Sequence, residues 1–384
     1  MVIELVLGRG GGDISDVVVK WCSWDRGYFV NVYFDVKELY YLPQYMPIQD
    51  ALLRRGASVT FVMYGKEGVG IGDRMPKDVV VRWVKGEQEA RAIYLESKPD
   101  WLIIANNFNG LEDVHQNTKT ALVSHGIGPK ACYYSVSDSA TSVRFVEGPY
   151  RTRRLQNMYP SQTFYDTGYA KLDPVVNGDL RELRPSEWGL DDTKKTILYA
   201  PTFYPSSIEC MSKDFPREFE EYNVILKPHY FSLVNIKYEN QKKLLDSWAR
   251  YDNVYLAGIA DINIVPFLAV SDVLISDASS TLFEFAALNK PVIWCDFYKL
   301  RWGYRGLFKY RFKKRMDEDL YKYADIAIHA KSYSDLKRCV DNQIEVPESY
   351  AKSRRRFTSS LAGKVDGRCS ERIVDYIMMR GEVI

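Results

Sequence analysis

Short runs of apolar residues recur along the chain, each closed by small polar or charged residues, with helically patterned stretches between them. In the first half Phe29–Phe34, Val59–Tyr64, Val79–Val84, Trp101–Ala105, Ala121–Ser124, Ser142–Val146 and Gln162–Thr167 predict strands. Leu39–Arg55 and Gly86–Ser97 predict helices among them. The polar stretch Lys171–Asp192, with Pro and Gly, breaks the alternation and predicts a connection between domains. The pattern then resumes with Thr196–Tyr199, Val224–Leu226, Val254–Leu256, Val273–Ile275, Val292–Trp294 and Ile326–Ile328 as strands, and Glu239–Ala249 and Ile262–Ala269 as helices. Short strands without a wet face, joined through helices, predict parallel sheets covered on both sides. The fold class is therefore α/β. Two Rossmann-like domains with parallel sheets are expected, residues 1–175 and 190–384, facing across a cleft. The last helix is a candidate to pack back on the first domain.

One stretch carries the densest signal. Val273–Ile275 runs straight into Ser276-Asp277-Ala278-Ser279-Ser280-Thr281, and Leu282, Phe283, Phe285, Ala286 and Leu288 then give a helix that Asn289-Lys290-Pro291 stops. A strand that ends in small hydroxyl residues at a helix start offers backbone N–H groups, hydroxyls and a positive dipole end to an anion. An ordinary capped helix in an α/β protein reads the same way. The neighbouring strand ends decide between them.

Two of the four histidines close predicted strands. His125 ends the run Thr120–Ser124 and is followed by Gly126-Ile127-Gly128-Pro129-Lys130, whose glycines let backbone approach a ligand. His229 follows Ile225-Leu226-Lys227-Pro228, and Thr202 follows Tyr199-Ala200-Pro201. Ligands bind at the carboxyl ends of strands in such sheets, so these residues converge on one cleft. His115 and His329 lack such company and are read as structural. The two strand-end histidines have no metal-ligand spacing, and no metal is expected. Gly8–Asp13 lacks the Lys-Ser/Thr of a phosphate loop and reads as a plain loop.

Composition narrows the class. The 384 residues are 46% hydrophobic and 27% charged, enough for two domains with their own cores. A net charge of +2 forces no class of partner. The six cysteines are scattered without a CxxC pair and read as reduced thiols of an intracellular protein. No apolar run is long enough to span a bilayer, so a membrane would be met from its surface. Basic charge is local: Lys299–Arg315 carries eight basic residues and no acidic one among Trp, Tyr and Phe. Such a segment suits an anionic membrane, a lipid-linked diphosphate or nucleic acid, or is simply a solvated basic surface.

Taken in order, SHGIGPK, FVEGPYRTRRL, TGYAKLDP, ILYAPTFYPS, LKPH and SDVLISDASSTLFEFAALNKPVI resemble the CDP-glycerol glycerophosphotransferases, the teichoic-acid primase and polymerase family. The resemblance runs from about His125 to Trp294. It implies a GT-B fold that moves a phospho-alditol from a CDP-activated donor to a hydroxyl of a lipid-linked acceptor at the cytoplasmic membrane face. By that resemblance His125 is the general base and His229 a diphosphate-binding residue. The donor side takes Ser279, Ser280, Thr281, Lys227, Thr202, Asp277 and Glu284, the last on ribose hydroxyls. The acceptor or membrane side takes Lys130, Arg305, Lys309, Arg311 and Lys313. No cofactor is obligatory and no nucleic acid is expected as partner. The chain differs from the family's pattern at Ser124 and at Ile127-Gly128-Pro129, where Trp and Thr-Pro are expected. The competing readings are a GT-B glycosyltransferase or UDP-sugar 2-epimerase, and a basic membrane- or nucleic-acid-binding protein.

Overall fold

The computed structural model describes residues 29–65, 79–128, 131–277, 279–299 and 322–379. Seven strands form the first sheet: β1 (Asn31–Val36), β2 (Ser58–Tyr64), β3 (Val80–Val84), β4 (Trp101–Ile104), β5 (Lys119–Val123), β6 (Val143–Val146) and β7 (Phe164–Asp166). Their order is β3-β2-β1-β4-β5-β6-β7, every pair parallel. Six more form the second: β8 (Thr196–Tyr199), β9 (Asn223–Leu226), β10 (Val254–Leu256), β11 (Val273–Ser276), β12 (Val292–Cys295) and β13 (Ile328–Ala330). These run β10-β9-β8-β11-β12-β13, again all parallel. The strands are short and their apolar side chains are buried on both faces, as in β4, β5 and β8. Each sheet reverses its winding once, between β1 and β4 and between β8 and β11, and a reversal opens a crevice at the strands' carboxyl ends. The two crevices face each other.

Most element bounds shift by a residue or two, and three of the shifts are informative. Phe29 is 78% exposed, and the first strand starts at Asn31. The helix read as Ile262–Ala269 is Val265–Val270, and the Asn263 Oδ1 accepts the Val265 N–H at 3.0 Å in a turn that leads into it. The last strand is Ile328–Ala330, not Ile326–Ile328. Ala324–Ile326 forms a 3-10 turn, and Ile326 gives its apolar signal by packing in the second domain's core from that turn.

The polar connection does more than join. Asp173 accepts the Cys369 N–H (3.2 Å), the Ser370 N–H (2.7 Å) and the Ser370 hydroxyl (2.6 Å), capping the Cys369–Met379 helix. That helix lies on the first domain, where Ile373, Val374 and Ile377 share a core with Tyr45, Ile48 and Leu52 of the Leu42–Arg54 helix. The Arg54–Glu371 and Arg55–Asp375 pairs along its rim are exposed and contribute little beside that apolar stripe. Among the described residues no helix is long and apolar enough to cross a membrane. Cys210, Cys295, Cys339 and Cys369 are free thiols.

Candidate functional site

A cavity of about 340 Å³ opens where the two sheets' carboxyl edges meet. The first domain supplies the turn after β1 (Lys37, Glu38, Tyr40) and His125 after β5. The second supplies Thr202 after β8, Lys227 and His229 after β9, and Ser279, Ser280 and Thr281 after β11.

The two histidines meet across one ring. Tyr40 lies 5.3 Å from the His125 ring and 5.9 Å from the His229 ring, centroid to centroid. Their hydrogen bonds set opposite tautomers. The His125 Nδ1 faces the Ala105 carbonyl at 3.3 Å, and a carbonyl only accepts, so Nδ1 carries the proton and the neutral ring has its lone pair on Nε2. The His229 Nδ1 accepts the Phe231 N–H at 3.2 Å, which leaves the ring proton on Nε2. One imidazole is therefore built to take a proton and the other to donate a hydrogen bond.

The His125 loop is embedded in the opposite domain. Ile127 is fully buried in the same apolar cluster as Leu282 and Phe283. A Cβ on Gly128 would stand 3.1 Å from the Phe283 ring and 3.4 Å from the Ser280 Cα, and one on Gly126 would strike the Tyr133 hydroxyl. The backbone approaches closely at both places, and that approach sets His125 beside the start of the Thr281–Ala287 helix. Ser279 Oγ accepts the Thr281 N–H at 3.3 Å. The helix is only seven residues long, so local N–H groups and hydroxyls matter more here than its dipole.

Charges complete the cavity. Burial, opposed by Asp261 and reinforced by Lys171, brings Lys227 down to about 8. Lys171 pairs with Glu284 at 2.7 Å, with 9% and 1% of the two side chains exposed. The other Glu284 oxygen accepts the Tyr169 hydroxyl at 3.1 Å, and that hydroxyl also lies 3.0 Å from the His125 carbonyl oxygen. The expectation that Glu284 serves ribose hydroxyls thus meets a carboxylate already holding a buried pair across the domain boundary. Asp277 is fully buried and does not line the cavity. It accepts the Thr202 N–H (2.8 Å), the Ser207 N–H (2.8 Å) and the Ser207 hydroxyl (2.9 Å), so it positions the Thr202–Ser207 loop and is no direct ligand contact. Burial pushes its carboxyl up to about 6.

Lys130, Arg305, Lys309, Arg311 and Lys313 lie outside the described residues. Among the described residues no cluster of three or more His, Cys, Asp or Glu could hold a metal ion. Sequence reading missed Tyr40, Tyr169 and Lys171. Tyr169 and Lys171 stood in a quoted motif, TGYAKLDP, but only the fold reveals what they touch.

The model of the CDP-glycerol:poly(glycerophosphate) glycerophosphotransferase family matches residues 87–379. The chain belongs to that family. Among curated relatives of this family member, the teichoic acid glycerol-phosphate primase of Bacillus subtilis strain 168 is 28% identical over 191 residues, 48% of this chain and 43% of the relative. The teichoic acid poly(glycerol phosphate) polymerase of Bacillus spizizenii strain W23 is 27% identical over 215 residues, 51% of this chain and 49% of the relative. The chain spans about half the length of these curated relatives. Among solved structures, the wall teichoic acid polymerase TagF superposes with a TM-score of 0.68 at 17% identity, over 91% of this chain and 88% of that one. UDP-GlcNAc 2-epimerase from Neisseria meningitidis, bound to UDP-GlcNAc, gives 0.57 at 14% identity over 91% and 99%. At such identities the likeness shows the fold, the GT-B pairing of two Rossmann-like domains.

Proposed function

We propose that this chain moves a phospho-alditol, glycerol phosphate in the first instance, from a CDP-activated donor to a hydroxyl of a lipid-linked acceptor and releases CMP. Family membership supports the donor class, and a TagF variant has been soaked with CDPG. The observation that carries the reading is the pair of oppositely poised imidazoles facing one cavity from opposite domains. In this reading the acceptor hydroxyl gives its proton to the His125 Nε2 as its oxygen attacks the phosphorus that bears the alditol. The bond to the bridging oxygen of CMP breaks, and CMP leaves with that oxygen. The His229 Nε2–H, Lys227 and the groups at Ser279–Thr281 take up charge on the phosphoryl oxygens, while Lys171 is held toward them by Glu284. A lipid acceptor places the work at the cytoplasmic membrane surface, with the chain bound peripherally and the basic Lys299–Arg315 segment as a contact. No cofactor or metal enters these steps.

A ligand screen tests the donor assignment. CDP-glycerol, CDP-ribitol, UDP-GlcNAc and other UDP-sugars are compared for their shift of the melting temperature. A CDP-alditol is expected to raise it most. Stabilisation by UDP-GlcNAc alone would move the reading to the sugar-nucleotide enzymes that share the fold.

A further inference from the structure

The loop that carries His125 is held by its main chain. Ser124 Oγ donates to the Gly126 carbonyl at 3.1 Å, and the Tyr169 hydroxyl reaches that of His125 at 3.0 Å. The next two carbonyls, Ile127 and Gly128, are taken by one Arg151 nitrogen, Nη2, at 2.8 and 3.2 Å. The other, Nη1, donates to the Glu147 Oε2 at 2.8 Å. Both side chains are buried, at 0% and 2% exposure, and the Arg151 Nε has no hydrogen-bond partner.

Stability is a poor reason for this arrangement. Taking two charges out of water costs several kcal/mol each, and well-packed apolar residues of the same volume often hold a fold as well or better. A planar guanidinium offers a fixed angle between two faces, here one on a carboxylate and one on two loop carbonyls. The anchor behind it is rigid too. Gly148, between Glu147 and the Pro149–Met158 helix, has φ +83° and sits against the backbone of Ser360–Gly363, where the chain crosses back from the second domain. A Cβ there would lie 2.5 Å from the Ser360 carbonyl oxygen, so the start of the clamp is pinned to the domain junction.

We infer that Glu147 and Arg151 are a positioning pair for transfer: through the Ile127 and Gly128 carbonyls they hold the loop so that the His125 ring enters the cleft. This rests on the reading of His125 as base. The pair touches no group on the donor side, so its loss acts on turnover and leaves donor affinity alone. Misplacing a base by about an ångström costs on the order of 100-fold in rate.

The test uses the full chain with CDP-glycerol and a lipid acceptor ending in glycerol phosphate. Glu147→Met with Arg151→Met removes both charges at similar volume, and the buried Arg144, whose charge Glu147 also offsets, keeps its bond to the Tyr133 carbonyl. The expected result is a folded protein with a CDP-glycerol Kd within about threefold of wild type, and kcat lower by on the order of 100-fold with the donor KM unchanged. Arg151→Lys keeps the pair with Glu147 but cannot also span two carbonyls, and should recover only part of the rate. Wild-type kcat in either variant overturns the inference, so a double variant that fails to fold leaves Arg151→Lys to decide. His125→Ala, measured alongside, separates the two failures. Full activity there removes the base and the reading beneath the clamp, whereas an inactive His125→Ala beside a fully active Arg151→Lys removes only the clamp.

Discussion

Lys227 gives the donor site a pH signature. Burial holds its ammonium at about 8, and a bound diphosphate would favour the charged form and raise that value. The charge is present below about pH 8 and lost above it, so donor affinity should be nearly constant to pH 7.5 and then fall. At pH 9 about nine-tenths of the free protein would have lost the charge, which weakens binding about tenfold, or about 1.4 kcal/mol. CDP-glycerol suits the measurement because its diphosphate, esterified at both ends, has no proton to lose in this range. Isothermal titration from pH 7 to 9 reads the effect directly. Among the described residues Lys290 is the other lysine that burial brings to about 8, and it is tied to the Leu268, Ala269 and Ser271 carbonyls away from the cavity, so a control must separate the two. Lys227→Arg supplies it: the charge persists throughout, and the tenfold loss should vanish. A wild-type profile as flat as that of Lys227→Arg, or an equal decline in both, would refute the placement of Lys227 against the donor.

Other residues give independent checks. His125→Ala should abolish transfer, to below about one part in a thousand, while CDP-glycerol binding stays within about threefold; retained turnover would remove it from the base role. Asp277 has a folded-state pKa of about 6, above the unfolded carboxyl, so native protein binds the extra proton between about pH 4 and 6 and gains stability as pH falls through that window. Relative to Asp277→Asn, which has no such proton to gain, wild type should improve by about 2.4 kcal/mol between pH 7 and 4 in urea titrations, and parallel pH curves would contradict the burial of that group. Glu284→Gln leaves the Lys171 ammonium buried beside a neutral partner and should cost about 3–5 kcal/mol in unfolding free energy, whereas Glu284→Leu with Lys171→Met should recover most of it. Failure of the double variant to recover would mean that the pair is not the reason for the loss.

Much of this architecture is legible along the chain because a parallel α/β sheet writes itself locally. Val273–Ile275, Val224–Leu226 and Val254–Leu256 are apolar runs of strand length, and the strand ends that follow them carry the cavity's residues. What stays hidden depends on distant partners. Glu284 meets Tyr169 and Lys171 across more than a hundred residues, so the helix residue read as a ribose contact is the anion of a buried pair. Asp277 shows the converse. Its place beside three hydroxyl residues suggests a ligand contact, yet its carboxylate is spent on the Thr202 and Ser207 amides. Arg151 is the instructive case. It stands four residues after Glu147, but Glu147 precedes the helix that carries Arg151, and the close approach of the His125 loop accounts for the burial of the pair.

The nucleotide released during turnover tests the central claim most directly. Incubated with CDP-glycerol and a lipid acceptor ending in a glycerol phosphate hydroxyl, the wild-type chain should release CMP, one for each glycerol phosphate added, and His125→Ala should release none. Release of CDP, or CMP formation that persists in His125→Ala, would contradict attack on the alditol-bearing phosphorus under the control of that imidazole.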